Sequence, residues 1–139
     1  MRLFDYDRMS EEMHRRDIDV ILAGTKPNVE YLTDVEWMRW FDKENFLTED
    51  GENYAASFVG LPQDESDGPF YVAPSTQTGY PENYGIWIED VRYWGPVFFV
   101  EGSTEQMETA DNPIARVAQV LREKGLDKGR IGVEWRHIE

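Results

Sequence analysis

Apolar positions in the opening third of the chain change period twice. Tyr6, Met9 and Met13 recur at helical spacing, with acidic residues early and His14, Arg15 and Arg16 late, as a helix dipole favours. This predicts an amphipathic helix over 5–16, its methionines and tyrosine facing a core. Ile18, Val20, Ile21 and Leu22 then form a short β-branched run closed by Gly24, the pattern of a strand covered on both faces. Thr25 and Pro27 predict a helix directly after it. Proline sets φ and gives up an N–H that a first turn leaves unpaired, and the threonine hydroxyl is placed to cap the free amides.

Further along, the apolar runs at 54–61 and 70–73 predict two strands, with a polar hairpin-type connection between them. Pro74, Gly79, Pro81 and Gly85 break any long element, so 74–85 reads as loop with one helical turn. The runs at 86–94 and 97–100 are further strand candidates. Asp111 or Asn112 before Pro113 opens a helix with Ile114, Val117, Ala118 and Leu121 on one face, and Lys124 and Gly125 close it. A last strand is expected over 130–135. Helices alternating with strands predict an α/β fold, a mixed sheet flanked by helices on both faces. The chain stops four residues after that strand, and we read it as cut from a longer one.

Composition narrows the function. At 139 residues there is room for one domain. The 28 acidic residues against 14 basic ones give a formal charge of −14, which repels phosphate backbones and anionic lipid, so neither nucleic acid nor membrane is an expected partner. No apolar run is long enough to span a bilayer, and the N-terminus lacks a secretory layout. Without cysteine there is no disulfide, thiolate metal site or cysteine nucleophile, and a cytoplasmic location is expected. Phosphate-binding glycine loops, His-Glu zinc motifs and Gly-x-Ser-x-Gly elbows are absent from the sequence. The acidic run 42–53 fails as a calcium loop, because Phe46 and Thr48 stand where oxygen ligands are needed ahead of Gly51. Asp67, Glu89 and Asp90 show no partner pattern for acid–base work and read as surface groups.

Two pieces of sequence, Pro27-Asn28 with Tyr31-Leu32-Thr33 and Gly129-Arg130-Ile131-Gly132-Val133-Glu134, stand in an order and separation that resemble the N-terminal domain of the creatinase, aminopeptidase P and prolidase family. The resemblance spans nearly the whole chain, 1–139, and implies a ribonuclease H-like α/β domain. The family's usual glycine after the threonine is Asp34 here, a residue type that tolerates the left-handed conformation. In the family a pita-bread domain follows and holds a pair of divalent metals (Mn, Co or Zn) on two Asp, one His and two Glu. That domain is missing here, and His14 and His137 cannot assemble such a set. The resemblance therefore implies no catalytic residue, metal ligand or cofactor in this chain.

It also implies an accessory role. The chain would order a homodimer or higher oligomer, partner its own C-terminal catalytic domain, and gate a peptide or small amide substrate from the segment 37–41. Trp37 and Trp40 offer apolar faces to a proline ring or methylated amine, and Arg39 offers a two-pronged bond to a carboxylate. The alternative is that these aromatics only pack under the acidic loop or at a subunit interface. Counting from Asn28, Trp40 falls at the position of creatinase's substrate-gripping aromatic and Asp42 at its arginine, which argues against a creatinase-type amidinohydrolase. Catalytically inactive relatives use the same domain to bind proteins, as in the histone-chaperone subunit of the FACT complex. That is the competing reading for so acidic a chain.

Overall fold

The computed structural model describes residues 1–35, 57–95 and 112–134. Helix α1 (Tyr6–Arg15) starts where the Asp5 carboxylate accepts from the Arg8 N–H at 3.1 Å, and buries Tyr6 and Met13 as the spacing predicts. Asp17 turns left-handed (φ 56°), and the Ile18 N–H bonds back to the Met13 carbonyl. These contacts close the helix, so strand β1 is Val20–Ala23 and begins later than the apolar run. Helix α2 (Lys26–Thr33) follows, ending at Asp34, whose left-handed φ of 56° replaces the glycine conformation directly. Strands β2 (Phe58–Pro62) and β3 (Phe70–Pro74) are antiparallel neighbours, the hairpin expected, with a 3₁₀ turn at Glu65–Asp67.

Between β3 and the next strand lie a 3₁₀ turn at Ser75–Gln77 and the single-turn helix α3 (Tyr80–Asn83), as the breakers require. Strand β4 is Asp90–Trp94 only. The expected strand start at 86 fails because the Ile86 N–H is drawn back to the Pro81 carbonyl, although Ile88 is buried. Helix α4 (Pro113–Glu123) has Asn112 as its cap, the side chain accepting from the Ala115 N–H at 2.8 Å. Its buried face is Arg116, Val117, Val120 and Leu121, while Ile114, expected to face inward, is exposed. At 100° per residue Ile114 stands about a quarter turn from the centre of that stripe. Strand β5 (Ile131–Val133) is the last element described. The expected strand at 97–100, the acidic run 42–53 and Trp135 fall outside the described residues.

The five described strands form one mixed sheet in the order β4-β3-β2-β1-β5, parallel at β3–β4 and β1–β5 and antiparallel elsewhere. Alternation along β3 feeds two cores: Tyr71 and Ala73 join Tyr6 of α1 and Val29 of α2 on one face, while Phe70 and Val72 join Val117, Val120 and Leu121 of α4 on the other. Helices thus cover both faces. Because the Asn112 cap satisfies a donor at the start of α4, Asn112→Ala is expected to cost about 1 kcal/mol in urea unfolding, and an unchanged midpoint would refute that role.

Candidate functional site

Parallel pairing of β1 with β5 brings their carboxyl ends to the same edge of the sheet. There β1 passes through Gly24 and Thr25 into α2, and Glu134 follows β5 directly. The Glu134 carboxylate is filled on both oxygens. One accepts from the Gly24 and Thr25 N–H groups, each at 2.7 Å; the other accepts from the Thr25 hydroxyl at 2.8 Å and from the Asn28 side-chain amide. A negative group at a helix N-terminus is favoured by the helix dipole as well as by these bonds. Burial pushes the Glu134 carboxyl up, but the bonds from Asn28, Thr25 and Gly24 outweigh it and hold it below the ordinary carboxylate range. Thr25 does not cap α2 with its own side chain, as its position suggested; its hydroxyl serves Glu134 instead.

The far end of α2 is tied as firmly. The Thr33 hydroxyl donates to the Val29 carbonyl at 2.7 Å and accepts from the Val35 N–H at 3.2 Å, and the Asp34 N–H donates to the Glu30 carbonyl. Trp87 donates its indole N–H to the Leu32 carbonyl at 2.7 Å. With all four hydrogen bonds spent on backbone and side chains of this chain, Glu134 is a positioning residue with no lone pair left for acid–base work. What the arrangement does is hold α2 rigidly between β5 and the aromatic core. It thereby sets where the chain stands at Val35, immediately before the expected gating segment. Trp37, Arg39 and Trp40 themselves lie outside the described residues.

A second polar group joins β4 to the end of α4. Asp90 receives Arg92 and Lys124, the latter at 3.0 Å, and Arg92 also reaches Glu123 at 2.9 Å. Burial raises the Asp90 carboxyl, yet the bonds from Arg92 and Lys124 leave it below its ordinary value. It is a cross-link between sheet and helix. Asp67 and Glu89 are exposed, with the Asp67 carbonyl accepting from Lys124. Burial also pushes the Tyr71 phenol up to about 12, so it stays neutral. Among the described residues no three His, Asp or Glu side chains come together as a metal site, and none of the helices is long and apolar enough to cross a membrane.

This architecture is an α/β fold shared with the N-terminal domains of proline-specific peptidases. The N-terminal domain of an Xaa-Pro dipeptidase from Lactobacillus brevis matches 96% of this chain and 78% of its own at a TM-score of 0.58 and 13% identity. A dipeptidase from Pyrococcus horikoshii OT3 matches 99% of this chain at a TM-score of 0.54 and 21% identity, and the chain spans only 29% of that protein. An Xaa-Pro aminopeptidase from Streptococcus pyogenes matches 93% of this chain and 92% of its own, at a TM-score of 0.52 and 10% identity. No protein-family model matches the chain, and no curated protein matches it in sequence.

Proposed function

We propose that this chain is the non-catalytic N-terminal domain of a cytoplasmic Xaa-Pro-specific peptidase, serving oligomerisation and substrate gating for a catalytic domain that follows it. The observation that carries this reading is the meeting of Thr25 and Asn28 with Glu134: the two sequence pieces behind the family resemblance form one clamp, inside a fold shared with an Xaa-Pro dipeptidase N-terminal domain. The clamp orients α2, and α2 delivers the chain to Trp37, Arg39 and Trp40, which we assign to gating. Divalent-metal chemistry, water activation on a peptide bond, would belong to the following domain.

The chain supplied with Mn²⁺ and an Xaa-Pro dipeptide is expected to leave the peptide intact, and to self-associate in light scattering. Turnover by the chain alone would overturn the accessory reading, and a monomer at high concentration would overturn the oligomerisation role. In the native-length protein, Arg39→Ala and Trp40→Ala are expected to raise KM about tenfold or more with a smaller change in kcat, the mark of lost substrate binding. Unchanged KM in both would remove gating from these residues.

A further inference from the structure

We propose that Arg116 anchors a binding site for a small carboxylate at the sheet edge beside α4, a site independent of the accessory role. Arg116 lies on the inward stripe of α4 and is only 6% exposed. Among the described residues its guanidinium makes one bond, from Nη1 to the Gln119 side-chain oxygen at 2.7 Å, while Nε is buried with no partner. A cation is rarely buried unless it is paired, because a neutral amide does not offset its lost hydration. Its place on the helix sharpens the mismatch. Arg116 is the fourth residue of α4, near the positive end of the dipole, where an anion is favoured and a second positive group is not.

Gln119 determines which side of the guanidinium is free. With Nη1 engaged, Nε and Nη2 remain, and their parallel N–H groups form the side-on fork that matches a carboxylate. Gln119 is itself held, its amide donating to Glu123 at 3.2 Å, and Glu123 pairs with Arg92 at 2.9 Å. The carboxylates on α4 and the adjoining β4, Glu123 and Asp90, are thus already engaged by Arg92 and Lys124. Neither pairs with Arg116. Because Lys124 at the end of α4 meets Asp90 at the start of β4, helix and strand run in opposite directions. From Lys124 back to Arg116 the helix spans about 12 Å, and from Asp90 on to Trp94 the strand spans about 13 Å. Arg116 therefore stands level with Trp94, which packs in one cluster with Val117 and Val120. This is the carboxyl end of β4, the edge at which open α/β sheets take ligands. So little exposure admits a small flat anion and not a folded surface, and one charge is less costly to bury than the two of phosphate.

The test follows the Arg116 Nε–H resonance and the melting temperature of the full chain during titration with acetate, N-acetylglycine and N-acetylglycinamide at constant ionic strength. Acetate and N-acetylglycine are expected to shift the resonance and raise the melting temperature, and the uncharged amide to do neither. Tighter binding of N-acetylglycine would assign the site to peptide ends and equal binding to free carboxylates; both support it. Arg116→Met keeps an unbranched stem without the charge and should abolish the response. Arg116→Lys keeps the charge without the fork and should weaken binding about tenfold. The native-chain resonance decides the matter should either variant fail to fold. An Nε–H insensitive to added carboxylate, as a pairing within the chain would produce, would overturn the proposal. So would phosphate or chloride binding more tightly than acetate, or a melting response that Arg116→Met retains.

Discussion

Gly60→Ala is expected to destabilise the protein by about 2–3 kcal/mol, opposite in sign to the gain that removing a strand glycine ordinarily brings. Gly60 lies directly across from Phe70 in the β2–β3 pair, and a Cβ there would meet two ring carbons of Phe70 at 2.1 Å. The ring cannot move aside. Phe70 is fully buried and packed in the cluster that includes Val72, Trp94 and the α4 residues Val117, Val120 and Leu121. Displacing it would strain the whole α4 face, because interiors are close-packed. Urea unfolding of Gly60→Ala, Phe70→Ala and the double variant checks the cause. Phe70→Ala alone should cost about 3–5 kcal/mol, but the added methyl should then be tolerated, giving a coupling of about 1 kcal/mol or more. Additive effects, or a neutral Gly60→Ala, would refute the steric account.

The sequence made most of this core legible, and the reason is periodicity. Helices α1 and α4 carry both an apolar stripe and a side-chain cap within a few residues, so local signals agree. The hairpin β2–β3 was readable for the same reason, two apolar runs across a polar turn. Misplacements arose where a local signal met a competing bond. Ile18 belongs by composition to a strand, yet its N–H closes α1; Ile86 looks like a strand start, yet its N–H returns to Pro81. Arg116 is the sharpest case: a charged residue on the buried stripe, its guanidinium donating to Gln119 at 2.7 Å, where the pattern had placed Ile114.

The polar centre of the candidate site was legible only in halves. Thr25 and Asn28 stand more than one hundred positions before Glu134, with sequence separations of 109 and 106, and no local pattern links them. Pairing β1 with β5 was the missing information. Once those strands are parallel neighbours, a carboxylate just past one strand reaches the helix start just past the other, and the two motif pieces become a single object. The bonds that close α2 at Thr33, Asp34 and Val35 likewise required the folded chain.

Glu134→Ala is expected to cost about 2–4 kcal/mol at neutral pH, since it strands the Gly24 and Thr25 amides, the Thr25 hydroxyl and the Asn28 side chain at once. Glu134→Gln separates charge from shape. Its carbonyl replaces one acceptor oxygen, but its NH₂ opposes donors on the other side, so most of the loss should remain. The pH dependence identifies the carboxylate. Its folded pKa lies below the ordinary 4.5, so folding favours the ionised form, and the stability it adds is fully present above that value. As pH falls through the folded pKa the carboxylate protonates and the contribution disappears. Asp90, also depressed from 3.8, adds to the same acid limb in both proteins. Urea midpoints of the native chain and Glu134→Gln should therefore stand apart from pH 7 to about 5 and converge towards pH 3. Curves that stay parallel across this range would show that the ionised carboxylate does not hold α2 in place.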